Sequence, residues 1–156
     1  MLILLLCLIS GEVNGKVISI TDGDTFHILI NNEDKTVRLH AVDAPERTQP
    51  FYHKSKSALE NKIKGKIVTL NTHGKSYKRY VADVTLNGES INEWIVGEGL
   101  AWNSPKYSDS KKLVELQEFA KKHKKGLWVD KNPEAPWDFR ASKKKVVSKK
   151  GKGFGN

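Results

Sequence analysis

The chain has one cysteine, Cys7, among 156 residues, so no intrachain disulfide framework can support it. Thiolate ligation of a metal is excluded for the body of the chain. The five histidines (His27, His40, His53, His73, His123) show no ligand spacing, which disfavours a zinc site. Only one long apolar run exists, MLILLLCLIS at residues 1–10. It is too short to span a bilayer and has the length of the apolar region of an export signal. No basic residue precedes it and no A-x-A site follows it, while the bulky Leu6 before Cys7 argues against a lipid anchor there. Residues 1–14 are therefore read as a signal peptide and short leader, in preference to a buried strand. The expected mature chain lacks cysteine and a transmembrane segment, and is secreted or held in the periplasm or cell envelope.

Acidic residues are also scarce where basic ones gather. Lys and Arg number 27 against 18 Asp and Glu, a net charge of +9, which favours polyanionic partners such as nucleic acid. Much of the excess is local, because residues 141–156 hold six lysines and no acid. That segment reads as a basic disordered tail, either a solvated end or a nucleic-acid arm.

There is no internal repeat. GKVISI (15–20), TFHILI (25–30) and TVRLHAV (36–42) form a predicted three-strand meander, joined by TDGD and the polar NNEDK. Pro45 and Pro50 end it. Residues 54–65 have helical spacing with Gly65 at the C-cap. KIVTLN (66–71) and RYVADVTLNG (79–88) supply strands four and five. SINEWIVGEGLAW starts a short helix with a Ser90–Glu93 capping box. Residues 109–124 form an amphipathic helix capped by Asp109 or Ser110 and ended by Gly126. LWVDKNPEAPWDFR (127–140) reads as an extended strap. This order predicts an α+β, mainly β fold: a five-stranded OB-type barrel with about three helices, its domain covering residues 15–140.

Four acids, Asp22, Asp24, Asp43 and Glu46, should gather at one end of that barrel. Without cations they would repel one another, so the cluster calls for a metal or for arginines. All-oxygen ligation suits a hard cation, with Ca²⁺ the natural candidate. Taken singly, each acid is also an ordinary turn or loop residue. Arg38 on strand three and Arg79 at the start of strand five could form structural ion pairs or clamp a phosphate. Metal, a base and two arginines are what phosphodiester hydrolysis requires. His40 faces away from its neighbours Leu39 and Ala41 and is read as structural.

The segments ITDGDTF, VRLHAVDAPE, KSYKRYVADV, NGESINEWIVGEGLAW and GLW, in this order between about Gly15 and Trp128, resemble the staphylococcal nuclease family. The resemblance implies an OB barrel and a Ca²⁺-dependent nuclease acting on DNA and RNA, cutting the P–O5′ bond to leave 3′-phosphates. It implies that Asp24, Asp43 and the Ala44 main-chain carbonyl hold calcium, with Asp22 near it. It makes Glu46 the general base, Arg38 and Arg79 the phosphate-binding arginines, and Tyr77 and Tyr107 the residues lining the nucleotide pocket. The sequence departs from that pattern at Arg79, which lacks flanking glycines, at Pro105, which stands in place of a pocket tyrosine, and in a shortened segment after Glu46. A monomer without a stable protein partner is expected. The alternative from another class is a catalytically silent OB-fold nucleic-acid-binding module, which would not require Asp24, Arg38, Asp43, Glu46 and Arg79 together.

Overall fold

A computed structural model describes residues 12–76, 79–107 and 109–150. The expected leader falls almost entirely outside these residues, as does Tyr77. Strand β1 (Glu12–Asp22) pairs antiparallel with β2 (Thr25–Ile30), which pairs with β3 (Glu33–Leu39). The β2–β3 connection is only Asn31–Asn32. Both residues have positive φ, 50° and 62°, the backbone twist that a two-residue hairpin requires. Glu33, Asp34 and Lys35 therefore belong to the strand and not to the expected loop.

Strand β3 then stops earlier than its apolar run suggests. Ala41 has φ 58°, and the chain turns to a separate two-residue strand, β4 (Val42–Asp43). Helix α1 (Tyr52–Ile63) follows and ends with Gly65 at φ 78°, as the C-cap reading expects. Strands β5 (Ile67–Ser76) and β6 (Arg79–Leu86) return the chain to the sheet, in the order β3-β2-β1-β5-β6. Parallel pairing of β3 with β6, from Thr36 opposite Arg79 to Leu39 opposite Ala82, closes the five-stranded barrel. Register shifts within β1 between Val17 and Ser19 and between Ile20 and Asp22 bend it as a barrel strand must bend.

The barrel interior is filled by the alternate residues Phe26, Ile28, Val37, Leu39, Val68, Leu70, Ala82 and Val84. Leu59 and Ile63 of α1 join this core. A short β7 (Glu89–Ser90) leads into α2 (Ile91–Gly97), which adds Ile91, Ile95 and Val96. The Ser90 hydroxyl accepts the Glu93 N–H at 3.2 Å. Strand β8 (Trp102–Asn103) pairs antiparallel with β4. Helix α3 (Lys111–Lys122) is capped by Ser110, whose hydroxyl accepts the Leu113 N–H at 3.3 Å. It ends before Gly126, with Lys124 taking the left-handed position at φ 51°.

The C-terminal segment departs most from expectation. In place of an extended strap there is a 3-10 turn at Gly126–Val129, followed by α4 (Pro136–Lys150). Residues 141–150, expected to be disordered, continue this helix. Lys143, Lys144, Lys145 and Val146 are all exposed, so no apolar stripe runs along this stretch. What docks it is its first turn, where Trp137 meets Trp102 edge to face at 5.6 Å, and Trp102 in turn meets Trp128 at 4.4 Å. No described helix is long and apolar enough to cross a membrane.

Candidate active site

The TDGDT turn joins β1 to β2 and packs under α1. Gly23 is required there, because an added Cβ would lie 1.9 Å from Ser55 Oγ and 2.8 Å from Ala44 Cβ. This close approach brings Asp24 beside the β4 exit. Asp24 is 3% exposed. Its Oδ2 accepts the Ala44 N–H at 2.8 Å, and its Oδ1 accepts the Thr25 hydroxyl at 2.8 Å. Its main-chain carbonyl accepts the Leu39 N–H at 2.9 Å, which ties the turn to the end of β3. The Asp22 carboxylate accepts the Asp24 N–H at 3.3 Å.

Arg38 joins the two buried carboxylates. Its Nη1 lies 2.6 Å from Asp24 Oδ1, and its Nη2 lies 3.2 Å from both Asp43 Oδ1 and the Val42 carbonyl oxygen. Burial pushes the Asp24 carboxyl up to about 7, with Arg38 opposing that shift and Asp22 adding to it. Burial works against the charge of Arg38, yet Asp24 and Asp43 together raise its pKa. A carboxylate whose charge is costly in this way gains from any cation placed next to it.

Asp43 is 4% exposed and is held by β4–β8 pairing opposite Trp102. Glu46 lies three residues on in a loop fixed by Gln49. The Gln49 side-chain Oε1 accepts the Glu46 N–H at 2.8 Å, while its Nε2 donates to the Glu134 main-chain carbonyl at 3.0 Å. Asp22, Asp24, Arg38, Asp43, Ala44 and Glu46 line one cleft of about 600 Å³. A second cleft of about 380 Å³ is lined by Arg38, Asp43, Arg79, Tyr107 and others. Arg38 and Asp43 thus form the wall shared by a carboxylate side and an arginine side. Arg79 and Tyr107 are exposed and reach only the second.

One residue of the site escaped the sequence reading. Arg140, from the first turns of α4, lies with Nη1 3.2 Å and Nη2 2.8 Å from the two oxygens of Asp43, and with Nη1 2.5 Å from Glu46 Oε1. The hydrogen bond to Asp43, and then that to Glu46, raises its pKa against partial burial. The only signal in the sequence was an arginine following an aromatic pair, Trp137 and Phe139, that could anchor it.

His40 is not in either role of base or ligand in this cleft. Its ring stacks on His73 at 3.7 Å with a 15° interplanar angle, and Asp83 lies 3.4 Å from His40 Nδ1 and 2.6 Å from His73 Nε2. The linear spacing of the histidines gave no hint of this group of three possible ligands. The three offer ligand atoms within 4.8 Å of one another, and as built the group is a histidine pair bridged by the Asp83 carboxylate.

A closed five-stranded barrel with buried carboxylates and arginines at one end defines an OB-fold protein with the equipment of a phosphodiester hydrolase. Residues 36–130 match the family described as "Staphylococcal nuclease homologue". The chain is 38% identical over 131 residues to an uncharacterized endonuclease of Haemophilus influenzae, covering 83% of this chain and 74% of that protein. It is 31% identical over 135 residues to an uncharacterized endonuclease of Escherichia coli, covering 85% and 88%. It also matches an uncharacterized 38.1 kDa protein of Capnoides sempervirens, 35% identical over 120 residues, of which it spans only 36%. The chain belongs to the staphylococcal nuclease homologues.

Proposed function

We propose that the protein is a Ca²⁺-dependent, sugar-nonspecific endonuclease that hydrolyses DNA and RNA at the P–O5′ bond and leaves 3′-phosphates. The observation that carries this reading is the Arg38 bridge between two buried carboxylates, Asp24 and Asp43, at the wall shared by the two clefts. A scaffold for passive binding gains nothing from burying two acids that repel nucleic acid.

The oxygen donors fit a hard divalent cation. Asp24, Asp43 and the Ala44 carbonyl would hold calcium, with Asp22 close by, since Ca²⁺ accepts ~6–8 oxygen ligands from carboxylates, carbonyls and water. When bound, such an ion supplies positive charge against the phosphoryl oxygens. Arg38 and Arg79 would clamp the same phosphate from the second cleft, where guanidinium forks match its oxygens. Glu46 would take the proton of the attacking water as the P–O bond forms and the O5′ leaves. Tyr107, and Tyr77 by family resemblance, would line the nucleotide pocket. The apolar start MLILLLCLIS supports export through a cleaved signal, which the mass of the mature N-terminus would check.

Plasmid digestion in Ca²⁺ or EGTA tests the proposal with wild type, Glu46→Gln and Arg38→Ala. Each substitution should cost on the order of 10²-fold in rate, and EGTA should abolish cleavage. An uncut plasmid that still binds wild type would support the silent binding module instead.

A further inference from the structure

Three guanidinium groups, not two, converge on the second cleft, since Arg140 lines it together with Arg38 and Arg79. An exposed ion pair of a long side chain is usually worth little and wanders. Arg140 is held differently. It grips Asp43 with both terminal nitrogens, and that carboxylate's side chain is 5% exposed. The helix that carries it is fixed by Trp137 against Trp102 and by Lys143 Nζ, which donates to the Thr48 hydroxyl at 2.7 Å. The Arg140 side chain itself is 44% exposed, so its outer face is open to the cleft.

These contacts are incompatible with both carboxylates doing the chemistry proposed above. The Glu46 Oε1 that accepts the Arg140 Nη1 hydrogen bond at 2.5 Å cannot at the same time accept a proton from water. Asp43, with Arg140 on both oxygens and Arg38 also on Oδ1, has few lone pairs to offer elsewhere. The fork of Arg140 must therefore let go during turnover, and a phosphate offers it the same two-oxygen geometry a short distance away in the cleft it lines.

Resting on the nuclease reading, the geometry points to Arg140 as a third phosphate-binding guanidinium, parked on Asp43 and Glu46 until a substrate phosphate replaces them. In the parked position it neutralises the acids and keeps the cleft from collapsing or repelling the incoming backbone. In the engaged position it frees Glu46 and adds a third positive group against the phosphate. A permanent strut that merely fixes the carboxylates is the competing role, and it has opposite consequences for cation binding.

The experiment is calorimetry on wild type, Arg140→Ala and Arg140→Lys. Ca²⁺ is titrated first without nucleotide, and then a deoxynucleoside 3′-phosphate, which offers no internal phosphodiester to cut, is titrated in saturating Ca²⁺. Plasmid cleavage and a thermal melt accompany each variant. Arg140→Ala should bind Ca²⁺ at least as tightly as wild type, because a competing cation has gone. It should bind the nucleotide on the order of 10-fold more weakly, the loss expected for a charge-assisted hydrogen bond. Arg140→Lys should recover part of that loss, having the charge without the fork, and it reads the same question should the alanine variant fail to fold. Unchanged nucleotide affinity, or Ca²⁺ affinity falling in step with it, overturns the inference. Wild type that cuts plasmid beside an equally active Arg140→Ala sinks this inference alone. Wild type that neither cuts nor binds removes the nuclease reading, and this one with it.

Discussion

Asp43 sits directly opposite Trp102 in the two-residue pairing of β4 with β8, and Trp102 is the middle ring of the Trp128–Trp102–Trp137 stack. A carboxylate of the site is thus positioned by a strand whose facing residue belongs to an aromatic cluster. Trp102→Ala removes the ring that α4 and the 3-10 turn both rest on. It should cost on the order of 3 kcal/mol by denaturant unfolding and reduce cleavage by more than the folded fraction explains. Full activity at a temperature where the variant remains folded would refute the link.

Asp24 contributes in the opposite sense to stability and to function. Its carboxyl is raised from 3.8 to about 7 by burial, so the metal-free folded state holds the proton more tightly than the unfolded chain. The sign follows from linkage. This group favours folding most below pH 3.8, and its contribution is lost as pH rises to about 7. In EDTA, Asp24→Asn should therefore gain on wild type in melting temperature between pH 4 and pH 7, while its cleavage in Ca²⁺ falls by about 10²-fold. A wild type that gains on the variant across that interval would contradict the assignment.

Asn92 is 3% exposed and braces the strand end that leads to the site. Its Oδ1 accepts the Val84 N–H at 2.9 Å, and its Nδ2 donates to the His40 and Ala82 carbonyls at 2.9 and 3.3 Å. Asn92→Leu keeps the volume and takes this partner from the Val84 N–H and the His40 carbonyl, while the Ala82 carbonyl still accepts the His40 N–H. The expected loss is about 2–3 kcal/mol, since each buried orphan costs ~1–3 kcal/mol. A midpoint in urea unchanged from wild type would show that water or a shift of the backbone replaces the amide.

The lysines after Arg140 offer a separate test. Truncation after Lys143 removes five lysines and leaves both the Arg140 contacts and the Lys143–Thr48 hydrogen bond in place. Binding to a long duplex should weaken, and the slope of log affinity against log salt should become shallower by roughly 0.9 for each lost phosphate contact. Cleavage of a short oligonucleotide at low salt should change little. An unaltered salt slope would show that the segment takes no part in binding.

The barrel was legible because its strands carry their own signal. Phe26 and Ile28, Val37 and Leu39, Val68 and Leu70 alternate with polar residues as the pleat demands, and TDGDT marks a turn that must be tight. The gathering of the acids at one barrel end was legible from the strand order, and Asp22, Asp24, Arg38, Asp43, Ala44 and Glu46 share one cleft; their separate roles came only from the resemblance. Ala41 was not legible as a strand breaker, because alanine has no local preference for positive φ. It is the β4–β8 pairing, made with residues some sixty positions later, that imposes the turn. Helix α4 was missed because its lysine-rich sequence gives no periodic apolar stripe, and its docking rests on a few long-range contacts, of Trp137 with Trp102, Arg140 with Asp43 and Lys143 with Thr48. Arg140, like the His40–His73–Asp83 group, is a product of distant segments meeting, which no window along the chain can display.

Closure of the barrel by β3 and β6 has a kinetic side. Arg38 stands opposite Val81, and Thr36 opposite Arg79, so the arginine cleft straddles a seam between segments far apart in the chain. Contacts of that kind form late relative to hairpins, because loop closure must precede them. Opening that seam separates Arg38 from Arg79 while the β1–β2–β3 meander stays paired. The amide hydrogen of His40, bonded across the seam to the Ala82 carbonyl, would report such an opening by exchanging faster than that of Ile28 in the meander. A newly made chain accordingly has a hydrophobic core in the making before it has a phosphate site.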